Sequence, residues 1–175
     1  MSGKQGPLSV LCIVLLFLQA ACTGRTYDHY NYKQKDGTKG MILLEREHDS
    51  LYIIRHHIGE RELSVWQLPY PVFRFECGDL TGDGQPEITV GVVKSTRYSP
   101  IPQKRLFIFK LYKGKHIRPL WLGSRMPRPL EDFHIVHDSI PARILTTERK
   151  PDGNPCQSLY RLGAFGLLFE QYIDN

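Results

Sequence analysis

From Gly40 onward the chain alternates short apolar runs with turn signals. The runs are Met41–Leu44, Leu51–Ile54, Leu63–Leu68, Val72–Cys77, Ile88–Val93, Leu106–Tyr112, Ile117–Leu122, Phe133–Val136, Ala142–Thr147, Leu159–Leu162 and Phe165–Ile173. They are rich in Val, Ile, Phe, Tyr and Thr, and each is shorter than a typical helix. Phe73, Phe75 and Cys77 alternate with Arg74 and Glu76, which is the period of two of a half-buried strand. Turn chemistry separates the runs, as in Gly82-Asp83-Gly84, Lys113-Gly114-Lys115 and Pro151-Asp152-Gly153-Asn154-Pro155. No stretch holds a 3.6-residue period over helical length. The pattern predicts an all-β, antiparallel domain over 40–175. Residues 23–39 are polar, with Tyr but no aliphatic residue, and read as a flexible tether.

A weak repeat runs through the domain. Leu51–Trp66 lines up without gaps on Leu106–Trp121 at an offset of 55 residues, with Leu51/Leu106, Ile53/Ile108, Gly59/Gly114 and Trp66/Trp121 coinciding. Each copy reads as strand, Gly turn, strand ending in Trp. A fainter copy begins at Leu159-Tyr160. Repeats of about 40–50 residues with four strands each are the signature of propeller blades. The expected architecture is therefore blade-like four-stranded sheets, about two and a half repeats. That is too few for a closed propeller, which takes about four blades or more.

Composition adds little to this. The chain has 175 residues, 41% hydrophobic and 23% charged, which excludes wholesale disorder. The net charge of +5 is spread along the sequence, with no basic run to serve as a nucleic-acid footprint. The start of the chain is more informative. Leu8–Leu18 is an apolar run, broken only by Ser9, after Lys4 and followed by small residues, so 1–22 reads as a secretory signal peptide. Its end, Leu18-Gln19-Ala20-Ala21-Cys22, resembles the lipobox of bacterial lipoproteins, although Gln19 departs from the usual apolar residue. That resemblance implies cleavage before Cys22, diacylglycerol on its thiol, and a membrane anchor rather than a span. Plain secretion is the alternative. Thr23 after the Cys resembles the outer-membrane-sorted class, facing the periplasm in a Gram-negative source. Export also permits a disulfide between Cys77 and Cys156; two free thiols are the other reading.

One segment carries recognisable chemistry. Gly78-Asp79-Leu80-Thr81-Gly82-Asp83-Gly84-Gln85-Pro86-Glu87 places oxygen groups at alternate positions: Asp79, Thr81, Asp83, the Gln85 carbonyl and Glu87. Such a loop can supply the hard oxygen shell that calcium prefers. An EF-hand would need an acid at Val90 and flanking helices. The segment instead resembles the calcium loop of FG-GAP/VCBS-type β-propeller repeats, with Thr81 in place of an Asp/Asn and Glu87 in place of an Asp. The resemblance implies a calcium-stabilised turn between two strands. The alternative is an Asp/Gly-rich turn held by its own side-chain-to-backbone bonds.

His134 and His137 fall on opposite faces of a strand and do not pair as metal ligands. There is no Gly-x-Ser-x-Gly elbow and no Gly-rich phosphate loop. The expected function is therefore a membrane-anchored, non-enzymatic binding or assembly module of the cell envelope, with a protein or glycan partner. A carbohydrate-binding or carbohydrate-processing accessory is the alternative, on the strength of Trp66, Tyr98, Trp121 and Tyr160 as a stacking platform.

Overall fold

The computed structural model describes residues 25–123 and 126–173. All eleven apolar runs fall on strands, two of them (Ala142–Thr147 and Phe165–Ile173) beginning one residue before the strand. The strands are β1 (Arg25–Lys33), β2 (Lys39–His48), β3 (Leu51–Ile58), β4 (Arg61–Leu68), β5 (Val72–Gly78), β6 (Glu87–Thr96), β7 (Ser99–Tyr112), β8 (His116–Leu122), β9 (Leu130–Val136), β10 (Arg143–Arg149), β11 (Pro155–Gly163) and β12 (Gly166–Ile173). They form three antiparallel four-stranded sheets, β1 to β4, β5 to β8 and β9 to β12, each a plain meander. Among the described residues the sheets close into neither a barrel nor a propeller.

Three whole sheets stand where two and a half were expected, because the supposed tether contributes β1. Within it Tyr30 and Tyr32 alternate with polar residues and pair with Ile42 and Gly40. The Tyr32 ring lies over Gly40, where a Cβ would come within 2.3 Å of it. Its hydroxyl reaches His56 Nε2 at 2.7 Å. The strand needs no aliphatic residue because tyrosines cover the inner face of its neighbour.

Sheet two lies between the others and is buried on both faces. Ile88, Val90, Val92, Phe107 and Phe109 pack with Ile42, Leu44 and Ile54 of sheet one. Leu106 and Ile108, from the opposite face of β7, pack with Phe133, Ile135 and Ile144 of sheet three. This explains the unbroken apolar runs in β6 and β7, where alternation is absent because neither face meets water. The outer face of sheet one is crossed by Arg55, which bonds Glu45 and Glu62, both at 2.7 Å.

The ungapped repeat alignment fails by one residue in its first strand. Ile54 pairs with Trp66, and Ile108 pairs with Trp121. The equivalent of Ile108 is therefore Ile54, an offset of 54, while the two Trp keep an offset of 55. The extra residue sits in the β7–β8 turn, which has three residues (113–115) against two (59–60) in β3–β4.

Phe73 sits at a register shift in β5 and lies over Gly91, where a Cβ would approach its ring to 2.4 Å. The same ring meets Phe133 edge-on at 6.3 Å, so it wedges the sheet two–sheet three core. Gly91→Ala should lower stability by about 1–3 kcal/mol through overpacking, read by urea unfolding. Adding Phe73→Leu should recover part of that loss. An unchanged midpoint for the single variant would show that the ring is not held there.

Candidate functional site

Strand alternation puts the β1–β2, β3–β4, β5–β6 and β7–β8 turns at one end of the first two sheets. The β5–β6 turn contains the candidate calcium residues. Asp79 is its hub: the carboxylate accepts the N–H groups of Gly82, Asp83 and Gly84 at 2.6, 3.1 and 2.9 Å. Gly82 and Gly84 have φ of 78° and 83°, which lets the turn present its amides to that carboxylate. Asp83 accepts the N–H of Gln85 at 2.8 Å. Glu87 points inward and accepts the N–H groups of Leu80 and Thr81 at 2.9 and 3.1 Å, while the Thr81 hydroxyl donates to its other oxygen at 3.3 Å.

These carboxylates face the positive ends of amides rather than one another. Part of the acceptor capacity of Asp79, Asp83 and Glu87 is thus used on N–H groups within the turn, as in an Asp/Gly-rich turn held by its own side-chain-to-backbone bonds. Among the described residues, no group of three His, Cys, Asp or Glu side chains converges to hold a metal. The turn is also tied to sheet three: the Asp79 carbonyl accepts the Ala142 N–H at 2.7 Å, and Gly82 abuts Pro141.

Glu87 is 2% exposed, and burial pushes its carboxyl up to about 7, with the nearby Asp83 and Asp79 charges adding to the rise and the Leu80 and Thr81 amides opposing it. His56 is also fully buried, and burial depresses its pKa. Its Nδ1 lies 2.8 Å from the Lys115 carbonyl, so that nitrogen carries the proton and Nε2 accepts from the Tyr32 hydroxyl. With the Ile117 N–H donating to Ser64 Oγ at 3.0 Å, this bond fixes the β7–β8 turn against sheet one.

The four turns enclose a groove of about 720 Å³. Ile58 and Leu63 form an apolar wall, and Gly114 and the Gln85 amide lie at its base. The side-chain oxygen of Gln85 is shielded from solvent with no donor to it. Its volume falls within the range of small-molecule sites. The sequence marks Gln85 as a calcium ligand through its carbonyl and carries no signal for a groove built from four separate turns.

The other candidate residues fall elsewhere. Cys22 lies outside the described residues. Cys77 and Cys156 are both free thiols, so the candidate disulfide does not form. Cys77 is buried in the core of sheets one and two, where burial raises its pKa well above normal. Cys156 lies on sheet three, beside the Arg128 guanidinium at 3.0 Å. The four aromatics do not meet: Trp66 packs on Phe109 in one core, Trp121 and Tyr160 belong to the other, and Tyr98 stands exposed in a hairpin tip. No family model, curated protein or solved structure matches this chain.

Two predictions follow from the turn. Asp79→Ala should cost about 2–4 kcal/mol, since three amides lose a charged acceptor, whereas Asp83→Ala should cost about 1 kcal/mol or less for its single exposed bond. Thermal melts in calcium and in EGTA separate the two readings of the turn: a calcium-dependent rise abolished by Asp83→Ala establishes a metal site, and superimposed curves leave a turn held by its own N–H groups. The second concerns pH. A raised folded pKa means that the native state keeps its proton where the unfolded chain has lost it. Glu87 therefore contributes stability that is full below pH 4.5 and lost as pH rises to about 7. The sum is roughly 3 kcal/mol. His56 acts with the opposite sign, losing stability as pH falls below 6.5. Subtracting Glu87→Gln from the native chain isolates the first effect, and an equal pH slope in both proteins would refute it.

Proposed function

We propose that this protein is a non-enzymatic binding module of the cell envelope, anchored through lipid on Cys22 and presenting the groove at its turn end to a ligand. The observation that carries the reading is the groove itself, built from four turns of two sheets and fixed by the His56–Lys115 bond. The anchor rests on the apolar run Leu8–Leu18 and the Leu18-Gln19-Ala20-Ala21-Cys22 sequence. For a Gram-negative source, Thr23 favours the outer membrane, facing the periplasm.

Strand β1 gives this reading a direction. It begins at Arg25, three residues after Cys22, which limits the leash to roughly 10 Å. A lipid on Cys22 therefore holds the start of β1 near the bilayer surface. β1 then runs nine residues, about 30 Å, to the β1–β2 turn beside the groove. The groove opens away from the membrane, and the β2–β3 turn at Asp49-Ser50 faces it.

Wild-type protein should incorporate labelled palmitate and fractionate with membranes, and Cys22→Ala should do neither. In vesicles containing spin-labelled lipid, a fluorophore at Lys115→Cys should be quenched much less than one at Ser50→Cys. Membrane association retained by Cys22→Ala would reject the anchor; equal quenching would reject the orientation.

A further inference from the structure

We propose that the groove at the turn end takes an anionic ligand, gripping a phosphate or carboxylate with Lys35, Arg61, Lys113 and Lys115. This rests on the groove being a ligand site and adds the chemical class. Three different turns supply these cations: Lys35 from β1–β2, Arg61 at the end of β3–β4, and Lys113 and Lys115 from β7–β8. All four are exposed, and none makes an ion pair among the described residues. Arg55, Arg74, Arg143, Arg149 and Arg161 on the sheets each meet a carboxylate.

The two acids at the groove are already engaged. Glu62 accepts from Arg55 at 2.7 Å, and Asp36 accepts the Thr38 N–H at 2.9 Å. The lining keeps an excess of unpaired positive charge in a concave site, which concentrates anions. An anion relieves the repulsion among these cations and gains charge-assisted hydrogen bonds.

A further detail points the same way. Lys113 has φ of 53°, directly after the last residues of β7, where sheet one places Gly59 at 57°. A lysine in the left-handed region costs stability that glycine would spare, and such costs persist where a side chain is needed. Ile58 and Leu63 provide an apolar wall for the body of the molecule. The fitting class is a small acidic molecule, either a phosphorylated compound or an acidic sugar.

The test is a titration of the ¹⁵N-labelled full chain in detergent micelles with inorganic phosphate, glucuronate and glucose, followed by amide chemical shifts. Saturable shifts centred on Gly114 and Gln85 are expected with phosphate, glucuronate or both, and which one saturates identifies the source of the negative group. These shifts should weaken with added NaCl. Arg61→Ala combined with Lys115→Ala should raise Kd at least about tenfold, while Arg97→Ala, on the far hairpin tip, should leave it unchanged. A native-like spectrum of the double variant separates lost binding from lost folding. Silence with both anions overturns the proposal. Saturation by glucose alone overturns the charge assignment and keeps the groove as a ligand site. Anion shifts centred on another surface overturn both.

Discussion

Burial of the middle sheet on both faces is the constraint from which the rest of the molecule follows. A sheet with an apolar face must bury that face against another layer. Here β6 and β7 give one set of side chains to sheet one and the alternate set to sheet three. Phe107 and Phe109 face one way, and Leu106 and Ile108 the other. Each outer sheet needs only one apolar face, so its other face can carry charge, as the Arg55 bridge does. Because the two cores share β7, a change at either surface of that strand is felt in both.

Polar contacts then set how the sheets are turned on this core. Between sheets two and three, Arg74 grips Asp132 with two bonds of 2.5 Å, and Glu76 accepts the Ile135 N–H at 2.6 Å. Between sheets one and two, His56 and Ser64 hold β7–β8. Such bonds add modest net stability, but they are directional where dispersion is not. Their consequence is placement: the groove is a gap between turns whose relative positions they fix.

The sequence made the strands legible and the sites only partly so. All eleven aliphatic runs are strands because periodicity of two, or unbroken runs of strand length, reports burial directly. β1 escaped because its inward positions are Tyr30 and Tyr32, in a segment otherwise polar enough to pass for a tether. The one-residue slip of the repeat escaped because Gly59/Gly114 and Trp66/Trp121 share an offset that the extra turn residue creates. In the β5–β6 turn the alternation of Asp79, Thr81, Asp83 and Glu87 was visible, but not the direction of each carboxylate, which depends on where the amides of Gly82 and Gly84 point. The cations of the groove come from residues 35, 61, 113 and 115, and no linear pattern links them.

The β5–β6 turn also joins the two halves of the functional argument. A turn with three acids within nine residues repels itself unless something compensates. The compensation is internal, from six backbone N–H contacts, five to Asp79 and Glu87 and one to Asp83. Burial keeps Glu87 protonated up to about neutral pH, which removes one of the negative charges. The turn is thereby rigid without help from the solvent and locked to sheet three through Ala142. Rigidity there matters because the next side chain along, Gln85, forms the base of the groove. Glu87 is satisfied inward and Asp79 by the amides of its own turn, while the groove lining carries Lys35, Arg61, Lys113 and Lys115. The same end of the molecule can then hold three carboxylates in its turn and still offer a positive surface to a ligand.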